Sequence, residues 1–275
     1  MILKLLKYII LAVIQGISEV LPISSSGHII IFQNIFNLDT SNLSTAIFLH
    51  VGSLLAVIVF YYAFLKQVIK NSYQYCFKRE RNDKTKNSIK LIINILISII
   101  PAGIVGLLFK KQIESIFSTT LSVGICLIVT GILLLILTRK SGTKTINDIT
   151  PRDALIIGLF QAIGVLPGVS RSGITTIGGK VSKLKSEDAI NYAFLLFIPI
   201  ALGTGILEVM ELINGKLILS EQELVLNLIG VIVSFIVTYF ALKWILKLIK
   251  KGKLHYFSFY CFLIGIVAII MFFIK

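Results

Sequence analysis

Gln15-Gly16-Ile17-Ser18-Glu19-Val20-Leu21-Pro22-Ile23-Ser24-Ser25-Ser26-Gly27-His28 is the stretch on which the reading of this chain turns. A short apolar arm, residues 8–14, runs into Gln15 and Glu19. A break of Pro, Ser and Gly follows, and then a second short arm, Ile29–Phe32. Neither arm approaches the roughly 20 residues that a bilayer crossing takes. Two short arms around a polar break predict a re-entrant hairpin, because broken backbone at membrane depth survives only where protein or a wet cavity satisfies it. The pattern returns downstream. An apolar arm at 154–166 meets Pro167-Gly168-Val169-Ser170-Arg171-Ser172-Gly173, and Ile174–Ile177 follows. An ordinary kinked spanning helix is the plainer alternative at each place.

The chain around these hairpins belongs in a membrane. Of its 275 residues 56% are hydrophobic and only 15% charged, where soluble domains carry about 25% charge. Mean hydropathy is +0.93. Six apolar runs reach spanning length, at about residues 43–65, 89–109, 119–138, 189–210, 224–244 and 255–274. Pro101 and Pro199 are expected to kink the second and fourth of these. The net charge of +14 lies in short loops between apolar runs. That pattern is positive-inside bias with affinity for anionic lipid, and it excludes a nucleic-acid partner. Cys76, Cys126 and Cys261 are isolated and have no metal-ligand spacing. Lys4 and Lys7 before an apolar run look like a signal peptide, but no small-x-small cleavage site follows, so the segment is read as part of the mature chain.

Loop charge sets the layout. The 66–90 loop, with Lys66, Lys70, Lys78, Arg79, Arg81, Lys84, Lys86 and Lys90, reads as cytoplasmic. So do Arg139, Lys140, Lys144 and Arg152, then Lys180, Lys183 and Lys185, and then Lys243 to Lys253. The 211–223 loop, with three Glu against Lys216, reads as external; Lys110 and Lys111 are the one mild misfit. These assignments agree only if 1–42 and 139–188 lie on opposite sides and each returns to the side where it began. The expectation is an all-α polytopic membrane protein, one membrane domain over 1–275. Each half holds one re-entrant hairpin and three spans. Three is odd, so residues 1–138 and 153–275 form an inverted repeat. Gln15 stands nine residues before Ser24-x-Ser26-Gly27, and Gln161 stands nine before Ser170-x-Ser172-Gly173. Inverted repeats build their sites at the midplane from the ends of broken helices.

Ionisable groups in apolar segments are expensive and therefore functional suspects. Here they are Glu19, His28, His50 and Arg171. Gln15 and Glu19, four apart, share a helix face. Ser24, Ser25 and Ser26 precede a second helix, where hydroxyls cap free N–H groups and the helix end attracts anions. His28, one turn on, has a side chain suited to proton transfer near neutrality. Ser170, Ser172 and Thr175 flank Arg171, whose two-pronged guanidinium matches phosphate. The bland readings are a Gln15–Glu19 interhelical clamp, serines used only for capping and close packing, a core histidine at 28 and a structural Arg171–Glu19 pair. His50 is read as structural. Taken together, the two hairpins point to phosphate handling with acid–base equipment.

Gln15-x-x-x-Glu19, Ser24-Ser25-Ser26-Gly27-His28 and Pro167-Gly168-Val169-Ser170-Arg171-Ser172-Gly173-Ile174-Thr175 together resemble the motifs of bacterial undecaprenyl-diphosphate phosphatases of the bacitracin-resistance type. The likeness extends through Phe48–Ser53 and Tyr239–Trp244. Position 15 departs from many members, which carry Glu there, and leaves one carboxylate. The resemblance implies hydrolysis of undecaprenyl diphosphate on the outer face of the bacterial plasma membrane, dependence on Mg2+ or Ca2+, reduced bacitracin sensitivity and a homodimer. On this reading Arg171, Ser170, Ser172, Thr175, Ser24, Ser26 and Gln15 bind phosphate, Glu19 holds the cation, and Ser25 attacks with His28 as its base. Water activated by His28 or Glu19 is the other attacker. A carrier or flippase for phosphorylated polyprenyl lipids is the rival function, since inverted repeats also serve transporters.

Overall fold

The computed structural model describes residues 2–36, 43–117, 119–137, 142–213 and 220–274. Eleven α-helices carry them: α1 (Ile2–Val20), α2 (Ser25–Ile35), α3 (Leu43–Phe60), α4 (Tyr62–Phe77), α5 (Asp83–Phe117), α6 (Thr120–Leu137), α7 (Pro151–Ile163), α8 (Arg171–Val181), α9 (Ser186–Ile213), α10 (Glu221–Lys250) and α11 (Tyr256–Ile274). Lys144 and Leu184 make an isolated bridge, and the described residues form no strand beyond it.

The six expected spans fall on α3, α5, α6, α9, α10 and α11. Four helices are long and apolar enough to cross a membrane alone, and six spans result if two bent helix pairs each count as one. Pro101 and Pro199 sit inside α5 and α9, and neither ends its helix. Two expectations need correction. The stretch 66–77 is helix rather than loop. The chain bends by 67° at the α3–α4 break and continues as α4, which has no buried residue and lies against α5. Lys66, Gln67, Lys70, Asn71, Ser72 and Gln74 leave α4 too little apolar surface to enter the core. The first arm is also longer than residues 8–14: α1 runs unbroken through Gln15 and Glu19, because both polar side chains find partners inside the protein.

Local chemistry sets the helix ends. Thr150 accepts from Asp153 N at 3.2 Å, and Asp153 accepts from Thr150 N at 2.9 Å, with Pro151 in the first turn of α7. That is a capping box with proline where a missing N–H costs nothing. Ser220 and Glu223 do the same for α10, and Lys247 and Lys250 close its far end, where the helix dipole favours cations. Lys4 lies 3.4 Å from Glu223, and Lys250 lies 3.1 Å from Glu187. These pairs put the chain start and the α10 start at one end of the bundle, and the α10 finish and the α9 start at the other. Both agree with the expected layout. Arg139, Lys140 and Lys216, which also entered that layout, lie outside the described residues.

The hairpins are α1–α2 and α7–α8. Each leading arm rests on a long helix from the other half: α1 on α10, and α7 on α5. α6 and α11 lie against each other. This exchange is what a two-fold-related pair of repeats would make. Small residues allow the close crossings that membrane helices use. A cluster of hydroxyls ties α3 to α10: Ser53 Oγ lies 3.0 Å from both Ser234 Oγ and Thr238 Oγ1, and Ser234 donates to the Leu49 carbonyl at 2.8 Å.

Gly52 tests this contact. A Cβ there would lie 2.4 Å from the Val231 carbonyl oxygen, whereas one at Gly103 meets nothing within 4 Å. Gly52→Ala is expected to cost about 1–3 kcal/mol of stability through overpacking, and Gly103→Ala nothing. Thermal unfolding of the two variants in detergent checks this; equal melting temperatures would contradict the α3–α10 contact.

Candidate active site

Both hairpin tips are built by the same local rule. Ser24 caps α2, its Oγ accepting from Gly27 N at 3.2 Å; Ser170 caps α8, its Oγ accepting from Gly173 N at 3.1 Å. Ser26 Oγ lies 3.3 Å from Ser24 Oγ, and Ser172 Oγ lies 3.4 Å from Ser170 Oγ. The bonds repeat at the spacing that links Gln15 to Gln161. The tips also touch reciprocally. A Cβ on Gly27 would lie 3.2 Å from Gly168 Cα, and one on Gly173 would lie 3.1 Å from Pro22 Cβ. Gly168 has φ +89°, which few other residues adopt, and its neighbours Val123 and Cys126 leave no room for a side chain. That accounts for glycine after Pro167. Ser24 has φ +66° without being glycine, an uncommon backbone that recurs at functional sites.

The first residue of each second arm reaches Glu19. Arg171 Nη2 donates to Glu19 Oε1 at 2.5 Å, and Ser25 Oγ donates to Oε2 at 2.6 Å. Gln15 Nε2 donates to the same Oε2 at 2.7 Å. Glu19 is buried, its side chain only 4% exposed, while Arg171 keeps 24% of its side chain accessible. The guanidinium also lies over the Phe197 ring, 4.5 Å from its centroid. The bond to Glu19 uses Nη2, one of the three nitrogens of the guanidinium. Two helix N-termini, one guanidinium and several hydroxyls thus surround one carboxylate, the donor set that a phosphate ester or anhydride requires.

The other expected site residues divide. Gln15, Ser25 and Arg171 meet at Glu19. Ser172 Oγ donates to the Leu21 carbonyl at 3.2 Å and so ties the second tip to the first. Thr175 Oγ1 donates to the Arg171 carbonyl at 2.8 Å, turned along its own helix. His28 is not brought to Ser25. Its Nδ1 lies 2.7 Å from the Ser24 carbonyl, which only accepts, so Nδ1 carries hydrogen; Nε2 lies 2.9 Å from Tyr260 Oη. The Tyr260 ring stacks on the imidazole with centroids 5.6 Å apart. In this arrangement Glu19, not His28, stands next to the Ser25 hydroxyl. Two residues escaped the sequence reading. Tyr260 lies in an apolar run that gives no local sign of a site. His50 was read as structural, yet its Nε2 lies 3.3 Å from Glu19 Oε2.

A divalent cation would find oxygen here. Gln15 Oε1 is buried without a partner, beside the Glu19 carboxylate that Gln15 Nε2 holds. The described residues hold no group of three His, Cys, Asp or Glu suited to a metal. A cation would therefore draw two oxygens from the protein and the rest from phosphate and water, as Mg2+ commonly does.

The family described as Bacitracin resistance protein BacA matches residues 8–267. The chain is 37% identical over 269 residues to an undecaprenyl-diphosphatase of Oceanobacillus iheyensis, covering 97% of this chain and 96% of that protein. It is 37% identical over 265 residues to undecaprenyl-diphosphatase 1 of Bacillus cereus, covering 96% and 97%. It is 35% identical over 270 residues to an undecaprenyl-diphosphatase of Halothermothrix orenii, covering 98% of each. With both hairpin motifs inside a match that spans nearly the whole chain, this protein belongs to the BacA bacitracin-resistance family.

Proposed function

We propose that this multi-pass membrane protein hydrolyses undecaprenyl diphosphate to undecaprenyl phosphate and inorganic phosphate. The reaction recycles the lipid carrier of peptidoglycan synthesis and lowers bacitracin sensitivity. The observation that carries this reading is the convergence of Ser25, Gln15 and Arg171 on the Glu19 carboxylate between two helix N-termini.

The chemistry follows from those contacts. The diphosphate head reaches the hairpin tips while the prenyl chain stays among the spans. Arg171 and the N-terminal N–H groups of α2 and α8 bind the terminal phosphate and offset charge that builds during transfer. Ser25 Oγ attacks the terminal phosphorus, and its proton passes to Glu19 Oε2, 2.6 Å away. The bridging P–O bond breaks and undecaprenyl phosphate leaves. Water then splits the phosphoserine, releases inorganic phosphate and restores the serine. His28, fixed by Tyr260 and the Ser24 carbonyl, orients the first turn of α2. Glu19 and Gln15 would hold a Mg2+ or Ca2+, which supplies charge neutralisation of the diphosphate when bound.

The two halves, 1–138 and 153–275, act as an inverted repeat whose tips share one site at mid-depth. The site opens to the outer face of the plasma membrane, the side of the α10 start and of the Lys4–Glu223 pair. A homodimer is the assembly this family resemblance favours.

Purified protein in detergent, where no gradient exists, should release phosphate from a polyprenyl diphosphate; a well-folded protein that releases none is a carrier instead. Ser25→Ala and Arg171→Lys should each lower kcat/KM at least ~100-fold, about 2.7 kcal/mol of barrier. Lysine fails because a point charge does not replace the planar fork. Activity should vanish with a chelator and return with Mg2+ or Ca2+. Gln15→Leu should raise the cation concentration for half-maximal rate about tenfold or more; an unchanged requirement removes Gln15 from the cation site.

A further inference from the structure

Glu19 has a neighbour that the mechanism above leaves idle. His50 lies on α3, and its Nε2 stands 3.3 Å from Glu19 Oε2. Its Nδ1 lies 3.0 Å from the Ala46 carbonyl, one turn back on the same helix. A carbonyl oxygen only accepts, so Nδ1 is a donor. The helix that carries the ring is itself fixed: the residue before it, Leu49, accepts from Ser234 of α10 at 2.8 Å, and α10 lies against the arm that carries Glu19.

Resting on the phosphatase reading, we infer that His50 is a positioning residue for this reaction: its Nε2, 3.3 Å from Glu19 Oε2, braces the carboxylate from the α3 side and keeps it aimed at Ser25. Four groups then share the carboxylate, with Arg171 on Oε1 and Gln15, Ser25 and His50 on Oε2. When Ser25 Oγ turns to phosphorus, Oε2 loses one of its holders. Gln15 and His50 are what remain to keep it in place.

Two isosteres separate this role from a structural one. The amide nitrogen of glutamine falls where Nε2 was, and that of asparagine falls where Nδ1 was. Phosphate release from a polyprenyl diphosphate is measured for the full chain in detergent, with size-exclusion profiles to confirm folding. His50→Gln is expected to keep kcat within about threefold of wild type, and His50→Asn to lose about tenfold or more in kcat with KM nearly unchanged. The reverse order would show that the Ala46 contact alone matters and would overturn the inference. Equal rates in the two variants, whether high or low, would overturn it too. An inactive wild type would instead sink the phosphatase reading and leave no rates to rank.

Discussion

A single buried carboxylate organises this protein. Glu19 sits in an apolar domain, where an unpaired charge costs at least about 2.5–3.5 kcal/mol on insertion scales and is removed by protonation or pairing. Four polar groups from four helices meet that demand: Gln15 on its own helix, Ser25 across the first tip, His50 on α3 and Arg171 on the second tip. Arg171 has the same problem with opposite sign, and Glu19 together with the Phe197 ring solves it. Deleting one partner of a buried pair costs about 3–5 kcal/mol, because the other charge is left stranded. The pair therefore locks the two hairpins together.

The matching local geometry of the two tips frames that lock. Ser25 and Arg171 occupy corresponding positions, each the first residue of a second arm, each preceded by a capping serine and followed two residues later by a glycine at the crossing of the tips. The same capping geometry thus presents a hydroxyl on one side and a guanidinium on the other. Exchange of the leading arms, α1 on α10 and α7 on α5, sets each tip against the opposite half. The site is assembled from both halves, and neither half contains it alone.

Much of this was legible in the residues. The six apolar runs and the two broken arms are local patterns, and they anticipated the long apolar helices and the paired short ones, while the Glu19–Arg171 pair stood only as one of two alternatives for Arg171. Tertiary choices were not local. α4 stays helical after a bend although its residues read as a charged loop. His50 looks like any histidine at the start of a span until α3 is laid against α1. Tyr260 sits in a run whose only sequence signal is hydrophobicity, and its hydroxyl matters because it meets His28 from the far end of the chain. The spacing of three suggests Ser25 beside His28, but the Ser25 hydroxyl bonds Glu19, while the His28 ring bonds the Ser24 carbonyl and Tyr260.

The most direct measurement is a double-mutant cycle on kcat/KM for Glu19→Gln and Arg171→Ala, read by phosphate release in detergent. If the two hairpins form one unit through this pair, the double variant should be no slower than the worse single variant, a coupling of several-fold or more. If the two losses multiply, Glu19 and Arg171 act independently, and the pairing that joins the hairpins is not what the reaction depends on.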